Sequence, residues 1–180
     1  MNNDEELDQY DYINNEDYPD AVKKYSEVLG KFFMEFSLLE HELNTSIAEI
    51  INDASHDIGY QVMEQMKMGN KIDLFYRLYN SMLSYSNEIK SKKIKRKERL
   101  NNIKSSLGII NDFRNQLAHA NRQTIQKNGL VRTRFSSDKI SGQIKLKNIQ
   151  IKPNDIRIKI NEINKIANKL RNYKETAFQV

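Results

Sequence analysis

Residues 22–51 read VKKYSEVLGKFFMEFSLLEHELNTSIAEII, and their apolar side chains recur every three or four positions. This spacing places the apolar side chains on one stripe of a long α-helix. The stripe consists of Val22, Tyr25, Leu29, Phe32, Phe36, Leu39, Leu43, Ile47 and Ile50. Phe33, Leu38 and Ile51 widen it, as expected for a helix that packs against more than one neighbour. Glu40 lies beside the stripe, where a carboxylate is either solvated, which is the default, or paired with a cation at the edge of the core.

Three further segments have the same helical spacing. Their apolar positions are Ile72, Phe75, Tyr76, Tyr79, Met82 and Leu83 in the second, Leu100, Ile103, Leu107, Ile110 and Leu117 in the third, and Ile156, Ile160, Ile163, Ile166, Ala167 and Leu170 in the last. Val62, Met63 and Met66 suggest a short helical piece before a break or kink at Gly69-Asn70. The chain has only two prolines and six glycines, which leaves long helices uninterrupted. The sequence therefore predicts an all-α or mainly α fold, with a last helix that opens at Pro153.

Residues 130–150 depart from the helical pattern. Apolar and polar residues alternate in 130–135 and again in 143–149, which is the period of a β-strand. The segment between them, 136–142, has the composition of a loop. We expect a basic β-hairpin inserted between the third and last helices, with Arg132, Arg134, Lys145 and Lys147 on its strands.

Length and composition limit the class of protein. We expect a single domain over residues 19–180, preceded by an acidic, mobile tail at 1–18 that has no Lys or Arg. The chain lacks cysteine, which excludes disulfides and thiolate chemistry and fits a cytoplasmic location. No basic leader followed by an apolar run is visible, and no apolar stretch approaches the roughly 18 residues of a membrane span.

The charges are distributed unevenly along the chain. Residues 1–64 contain 16 acidic and 3 basic side chains, a net charge of −13, whereas 90–180 contain 23 basic and 6 acidic ones, a net charge of +17. A basic half can concentrate a polyanion such as nucleic acid. An ordinary solvated surface, with the two halves paired in the fold, explains the same distribution.

The reactive side chains cluster at Asn111–Asn121, which reads NDFRNQLAHAN and closes the third helical segment. Arg114 lies in phase with Leu107 and Ile110, so it faces the packing seam. No phosphate-binding loop, dinucleotide fingerprint or zinc motif is present, and there are only three histidines, so we expect neither a metal nor a cofactor. His119 is the candidate acid or base, since its pKa lies near neutrality, and Arg114 is a candidate phosphate ligand.

Helical geometry constrains how this pair can act. Two residues five positions apart on an α-helix lie about 140° apart around its axis. The third helix must therefore end near Leu117–Ala118 if His119 is to turn back towards Arg114. A structural role explains the same residues: Arg114 would pair with an acid of the first helix and His119 would cap the helix carbonyls.

The segment Arg114–His119, RNQLAH, resembles the motif of the HEPN superfamily, in which an arginine and a polar residue precede a histidine. Residues 36–43, FSLLEHEL, and 69–74, GNKIDL, are similar to the first-helix and second-helix sequences of such proteins. The resemblance covers about residues 20–121 and the last helix, and it leaves out the acidic tail and the hairpin.

The resemblance implies a four-helix up-and-down bundle that forms a homodimer with two motifs in one cleft. It also implies a metal-independent endoribonuclease of a toxin–antitoxin or anti-phage defence system, with RNA as substrate and an antitoxin protein as partner. His119 would be the acid or base, Arg114 would bind the scissile phosphate, and Asn115 would orient the substrate or His119. Glu40 would orient Arg114. The products would carry 2′,3′-cyclic phosphate and 5′-OH ends.

The basic residues outside the motif have further interpretations. Arg132, Arg134, Lys145 and Lys147 are candidate contacts to the RNA backbone. Two other functions fit the sequence. One is a non-catalytic helical binding module, and the other is a DNA-binding regulator that uses the basic run Lys90–Arg99. That run is also typical of a solvated helix entry, and no recognition-helix signature accompanies it.

Overall fold

A computed structural model of the chain describes residues 18–51, 57–118, 122–126, 129–137 and 144–177, with side chains described except in 122–148 and 174–177. These residues form five helices and three strands: α1 (Tyr18–Ile51), α2 (Asp57–Glu64), α3 (Met68–Tyr85), α4 (Lys90–Ala118), β1 (Arg122–Gln126), β2 (Gly129–Ser137), β3 (Ile144–Ile151) and α5 (Pro153–Ala177). The predicted mainly α fold is confirmed. Residues 1–17 of the predicted acidic tail lie outside the described residues, and Tyr18 is the first residue of α1.

The apolar stripes predicted for α4 and α5 are buried at every position, and Tyr173 extends the stripe of α5 by one more residue. On α1 the prediction needs two adjustments. Val28 is buried while the neighbouring Leu29 is only half-buried, and Leu38, expected to widen the stripe, is exposed. Pro153 is the first residue of α5. The Asp155 carboxylate accepts a 2.8 Å hydrogen bond from the backbone N–H of Lys152, which stabilises this helix start.

The break between α2 and α3 is not where the sequence suggested. Residues 65–67 separate the two helices, and Gly69 and Asn70 lie in the first turn of α3. Lys67 has extended backbone angles, and its carbonyl accepts hydrogen bonds from the N–H groups of Asn70 and Lys71. A first turn tolerates glycine and asparagine because several of its N–H groups lack helical partners.

The strands form an antiparallel sheet in the order β1-β2-β3. The two strands expected for the hairpin correspond to β2 and β3, which pair antiparallel. The strand β1 adds a third that the sequence analysis did not predict. Its sequence RQTIQ contains a single apolar residue, Ile125, so it shows no period-two alternation. Ser136 and Ser137, expected in the loop, extend β2.

The contacts divide the chain into two compact units, and α1, α4 and α5 each contribute to both. The first comprises residues up to Phe33 together with Asn115–Ile160. Within it, the Tyr25 hydroxyl donates a 3.2 Å hydrogen bond to the carbonyl of Ile151, which ties α1 to β3. Its buried apolar residues are Tyr25, Val28, Phe32, Leu117, Ile151, Ile156 and Ile160. A single domain over 19–180 stays a prediction.

The second unit, Met34–Arg114 and Asn161 onwards, is a helical bundle. Glu42 of α1 and Arg171 of α5 form an ion pair at 2.7 Å. Asp73 of α3 and Lys104 of α4 form another at 2.8 Å. These pairs lie at the rim of an apolar core.

Tyr79 of α3 meets Tyr173 of α5 edge-on in this core, with ring centroids 5.2 Å apart. Burial raises the pKa of Tyr173 to about 12 and raises that of Tyr79 further. Both phenols are therefore neutral at ordinary pH. None of the described helices combines the length and apolar character needed to cross a bilayer.

Candidate functional site

The end of α4 carries Arg114 and Asn115. The described part of α4 extends to Ala118, and the turn of the chain at His119 stays a prediction. His119 itself lies outside the described residues.

Arg114 faces the seam, as predicted. Its guanidinium carbon lies over the ring of Phe36 on α1, 5.8 Å from the ring centroid, and its Nε atom is buried. A guanidinium on an aromatic face is attracted by the ring quadrupole and keeps its charge. The site therefore holds a permanent positive charge on an apolar platform.

Asn115 is half-buried and follows Arg114 directly on α4. Gln116 is also half-buried, Leu117 is buried, and Ala118 is exposed. The last turn of α4 thus presents two amide side chains. Amides can donate and accept hydrogen bonds, which suits the orienting role predicted for Asn115.

Glu40 has a different partner from the predicted one. Its carboxylate accepts a 2.7 Å hydrogen bond from the Nζ of Lys71 on α3, whereas the sequence analysis placed it beside Arg114. The default of a solvated carboxylate is also wrong, because the Glu40 side chain is 32% exposed and that of Lys71 only 7%. A lysine so deeply buried needs an anionic partner, and Glu40, one turn after Phe36, is the acid within reach.

The four predicted RNA contacts share one face of the sheet by register. Arg134 is opposite Lys147, while Arg132 and Lys145 lie two positions along their own strands from this pair. In an antiparallel pair, opposite residues and residues two apart occupy the same face. The sheet therefore brings four basic positions together. Sequence periodicity alone could not show this, because it does not fix the register between two strands.

A second polar cluster was not predicted. It surrounds a cavity of about 330 Å³ lined by Asn44, Tyr60, Gln61, Met63, Glu64 and Lys71. The Tyr60 hydroxyl shares a 2.8 Å hydrogen bond with Thr45, and the Tyr60 ring is nearly parallel to that of His41 at a centroid distance of 6.4 Å. One feature of the sequence could have indicated this cluster. Lys71 lies four residues before the core residue Phe75, and such a spacing places it on the same face of α3.

The site contains no evident metal centre in its described part. No group of three or more His, Asp or Glu residues in the described ranges could hold a metal ion. Comparison with family models, curated proteins and solved structures returns no match to this chain. The chemistry of the site must therefore be argued from its own residues.

Proposed function

We propose that the chain is a metal-independent endoribonuclease of the HEPN type, a homodimeric four-helix up-and-down bundle whose two motifs share one cleft. It acts on RNA in a toxin–antitoxin or anti-phage defence system, with an antitoxin protein as partner. The single observation that supports this most is the end of α4. Arg114 lies on the Phe36 ring, in the last turns of α4 and five residues before His119 in the sequence.

The reaction needs a base, an acid and a phosphate ligand. The ribose 2′-OH loses its proton to one imidazole, and its oxygen attacks the adjacent phosphorus. The bond from phosphorus to the 5′-oxygen breaks, and that oxygen takes a proton from an imidazolium. Two His119 side chains, one from each protomer, fill the two roles. The products are a 2′,3′-cyclic phosphate and a 5′-OH.

Arg114 stabilises the charge that develops on the phosphorane-like transition state. Its planar fork can donate two parallel hydrogen bonds to non-bridging phosphate oxygens, which a lysine cannot do. Donors held in place before the reaction are most effective in a site of low polarity. The Phe36 ring beneath the guanidinium provides such an apolar support.

The basic face of the sheet favours RNA, which is a polyanion, as the substrate. Arg132, Arg134, Lys145 and Lys147 occupy neighbouring positions on that face. Contacts from such side chains to phosphates position a nucleic acid without reading its sequence. Neutralising them should lower affinity for all RNA sequences and flatten its dependence on salt.

The experiment that tests the proposal is RNA cleavage by the purified full chain in EDTA. Single-stranded RNA is incubated with wild type, His119→Ala and Arg114→Ala, with Lys165→Ala as a control because Lys165 is an exposed cation of α5. We expect cleavage by wild type and by the control only, with 2′,3′-cyclic phosphate at the new ends. Cleavage that survives both motif substitutions contradicts the site.

A second function, the non-catalytic binding module, draws support from the same packing of Arg114. A guanidinium against a core aromatic ring also serves as a structural element. If the chain is a binding module, wild type should leave RNA intact. His119→Ala should then bind a protein partner as well as wild type does. The cleavage assay in EDTA therefore separates the two functions.

A further inference from the structure

A groove of about 320 Å³ lies between α4 and α5 within the second unit. Its lining residues are Arg99, Asn102 and Ile103 of α4 and Lys169, Asn172 and Tyr173 of α5. Ile103 and Tyr173 are buried and form the floor, while the polar residues are exposed and form the two walls. A ligand in this groove therefore meets polar side chains that are accessible from solvent.

The walls of the groove carry positive charge. Arg99 contributes a cation from α4 and Lys169 one from α5, and none of the described lining residues is acidic. Neither cation forms an ion pair with a described residue. Other cations of the same unit do form ion pairs, namely Lys71 with Glu40, Arg96 with Glu88, Lys104 with Asp73 and Arg171 with Glu42. Because two like charges across one groove repel each other, an anion between them is favoured.

The positive charge of α4 continues beyond the groove. Lys92 and Lys95 are exposed, and their intervals of three and four residues to Arg99 place all three on one stripe of the helix. The stripe from Lys92 to Arg99 is about 10 Å long. A small phosphorylated molecule in the groove would leave most of this stripe unused, whereas a chain of phosphates can follow it. The arrangement therefore favours a polyanion as the ligand.

We propose that the groove and the stripe bind the phosphate backbone of a single RNA strand. The Arg99 guanidinium and the Lys169 ammonium hold one phosphate between α4 and α5, and the Asn102 amide donates a hydrogen bond to one of its oxygens. Lys92 and Lys95 contact the phosphates that follow. The axes of packed helices are about 8–10 Å apart, so a groove between them admits one strand, whereas a duplex, whose major groove alone is about 12 Å wide, is too broad.

This inference rests on the proposed function for the identity of the nucleic acid, since the groove contacts phosphates and not bases. Arg99 precedes Arg114 by 15 residues on α4, which corresponds to about 22 Å along the helix. The groove therefore holds the strand several nucleotides away from the phosphate at Arg114. Contacts so far from the reacting bond bind substrate and transition state equally, so they lower KM and leave kcat unchanged.

The first test measures binding without cleavage. A 2′-O-methyl RNA of about 12 nucleotides keeps its phosphates but lacks the free 2′-OH that the proposed reaction needs. Its affinity for the full chain is measured by fluorescence anisotropy, beside that of a trinucleotide of the same chemistry. We expect the longer strand to bind about tenfold tighter or more. Equal affinities would assign the groove to a small phosphorylated ligand and overturn the proposal.

Deletion of charges then locates the strand. Arg99→Ala/Lys169→Ala removes two cations from the groove, so the plot of log affinity against log salt concentration should become less steep by about 1.4. The matched control is Arg77→Ala/Lys165→Ala, which removes two exposed cations outside the groove and should keep the slope of wild type. An unchanged slope in the groove variant, or an equal loss of slope in both variants, overturns the site.

A charge inserted into the groove gives a sharper test, because it keeps both cations. Asn102→Asp places a carboxylate between Arg99 and Lys169 and should weaken binding of the 2′-O-methyl RNA about tenfold. Asn101→Asp adds the same charge at an exposed neighbouring position, about 100° around α4 and outside the groove, and should bind like wild type. Equal affinities of the two variants overturn the assignment of the groove.

Cleavage of unmodified RNA distinguishes the failure of this inference from that of the proposed function. If both hold, Asn102→Asp raises KM about tenfold and leaves kcat unchanged. A wild type that cleaves RNA with the same KM as Asn102→Asp retains the nuclease and loses the groove. A wild type that cleaves no RNA but binds the 2′-O-methyl RNA through Arg99 and Lys169 loses the nuclease and retains the groove.

Discussion

Arg114 and Lys71 are two cations that pack near the same helix, α1, and the helix holds them in opposite ways. Arg114 lies over the ring of Phe36, whereas Lys71 is buried against the carboxylate of Glu40. The ring contact attracts the guanidinium to the aromatic face, whereas the ion pair places a carboxylate against the ammonium. The proposed function assigns the first cation to the phosphate of the RNA, and the burial of the second against Glu40 indicates a role in the fold.

The largest effect that this comparison predicts is on catalysis. Arg114→Ala should lower the rate of RNA cleavage by about 100-fold or more, because a positioned transition-state donor is lost. Arg114→Lys should recover only part of the rate, since lysine keeps the charge but not the two parallel hydrogen bonds. Single-turnover cleavage in EDTA measures both.

Arg77→Ala is the matched control for that prediction, because Arg77 is an exposed cation of α3. It should cleave RNA like wild type. The comparison between the two cations is contradicted if Lys71→Met loses more activity than Arg114→Ala while its circular dichroism spectrum shows an intact fold. In that case the ion-paired lysine, and not the arginine, would serve the reaction.

The second prediction concerns stability. Lys71→Met leaves the half-buried Glu40 without its partner and should lower the free energy of unfolding by roughly 3 kcal/mol. The double variant Lys71→Met/Glu40→Leu removes both charges and should recover most of that loss. Urea unfolding of the full chain measures both. A double variant as unstable as the single one would show that the lysine stem, and not the charge pair, carries the stability.

The third prediction concerns the close approach of α2 to α1 at Gly59 and Ala48. A Cβ atom at Gly59 would lie 2.5 Å from the Cα and 2.7 Å from the Cβ of Ala48, both of them closer than real contacts. Gly59→Ala should therefore push α2 outwards and lower the free energy of unfolding by about 1–3 kcal/mol.

Gly108→Ala provides the control for Gly59→Ala, since nothing lies within 4 Å of the added methyl group on α4. Alanine is a better helix former than glycine, so this variant should be as stable as wild type or up to about 1 kcal/mol more stable. Urea unfolding again provides the measurement. Equal stability of Gly59→Ala and wild type would mean that α2 can move away from Ala48 at no cost.

The difference between the two cations also explains what the sequence could predict. Arg114 lies in phase with Leu107 and Ile110, and its contact to the α1 seam follows from helical periodicity. This inference uses neighbours within about two helical turns.

The partners that are distant in sequence could not be predicted. Lys71 meets Glu40 across 31 positions, and no local pattern states which helix faces which. The sequence did not predict strand β1, because the segment has only one apolar residue and becomes a strand by pairing with β2. Tertiary packing decides both, and periodicity within one segment contains no information about it.

The smallest predicted effect isolates the ring contact of Arg114. A double-mutant cycle combines Phe36→Leu, which keeps an apolar side chain in the core, with Arg114→Met, which keeps most of the stem length. The coupling free energy between the two positions should be about 0.5–1 kcal/mol in urea unfolding, the range of a cation over an aromatic face. The same cycle on Lys104 and Tyr76, a half-buried pair at 4.5 Å, should give less, because Asp73 also holds that ammonium in an ion pair at 2.8 Å. A coupling near zero at Phe36 would mean that the ring supports Arg114 by packing alone.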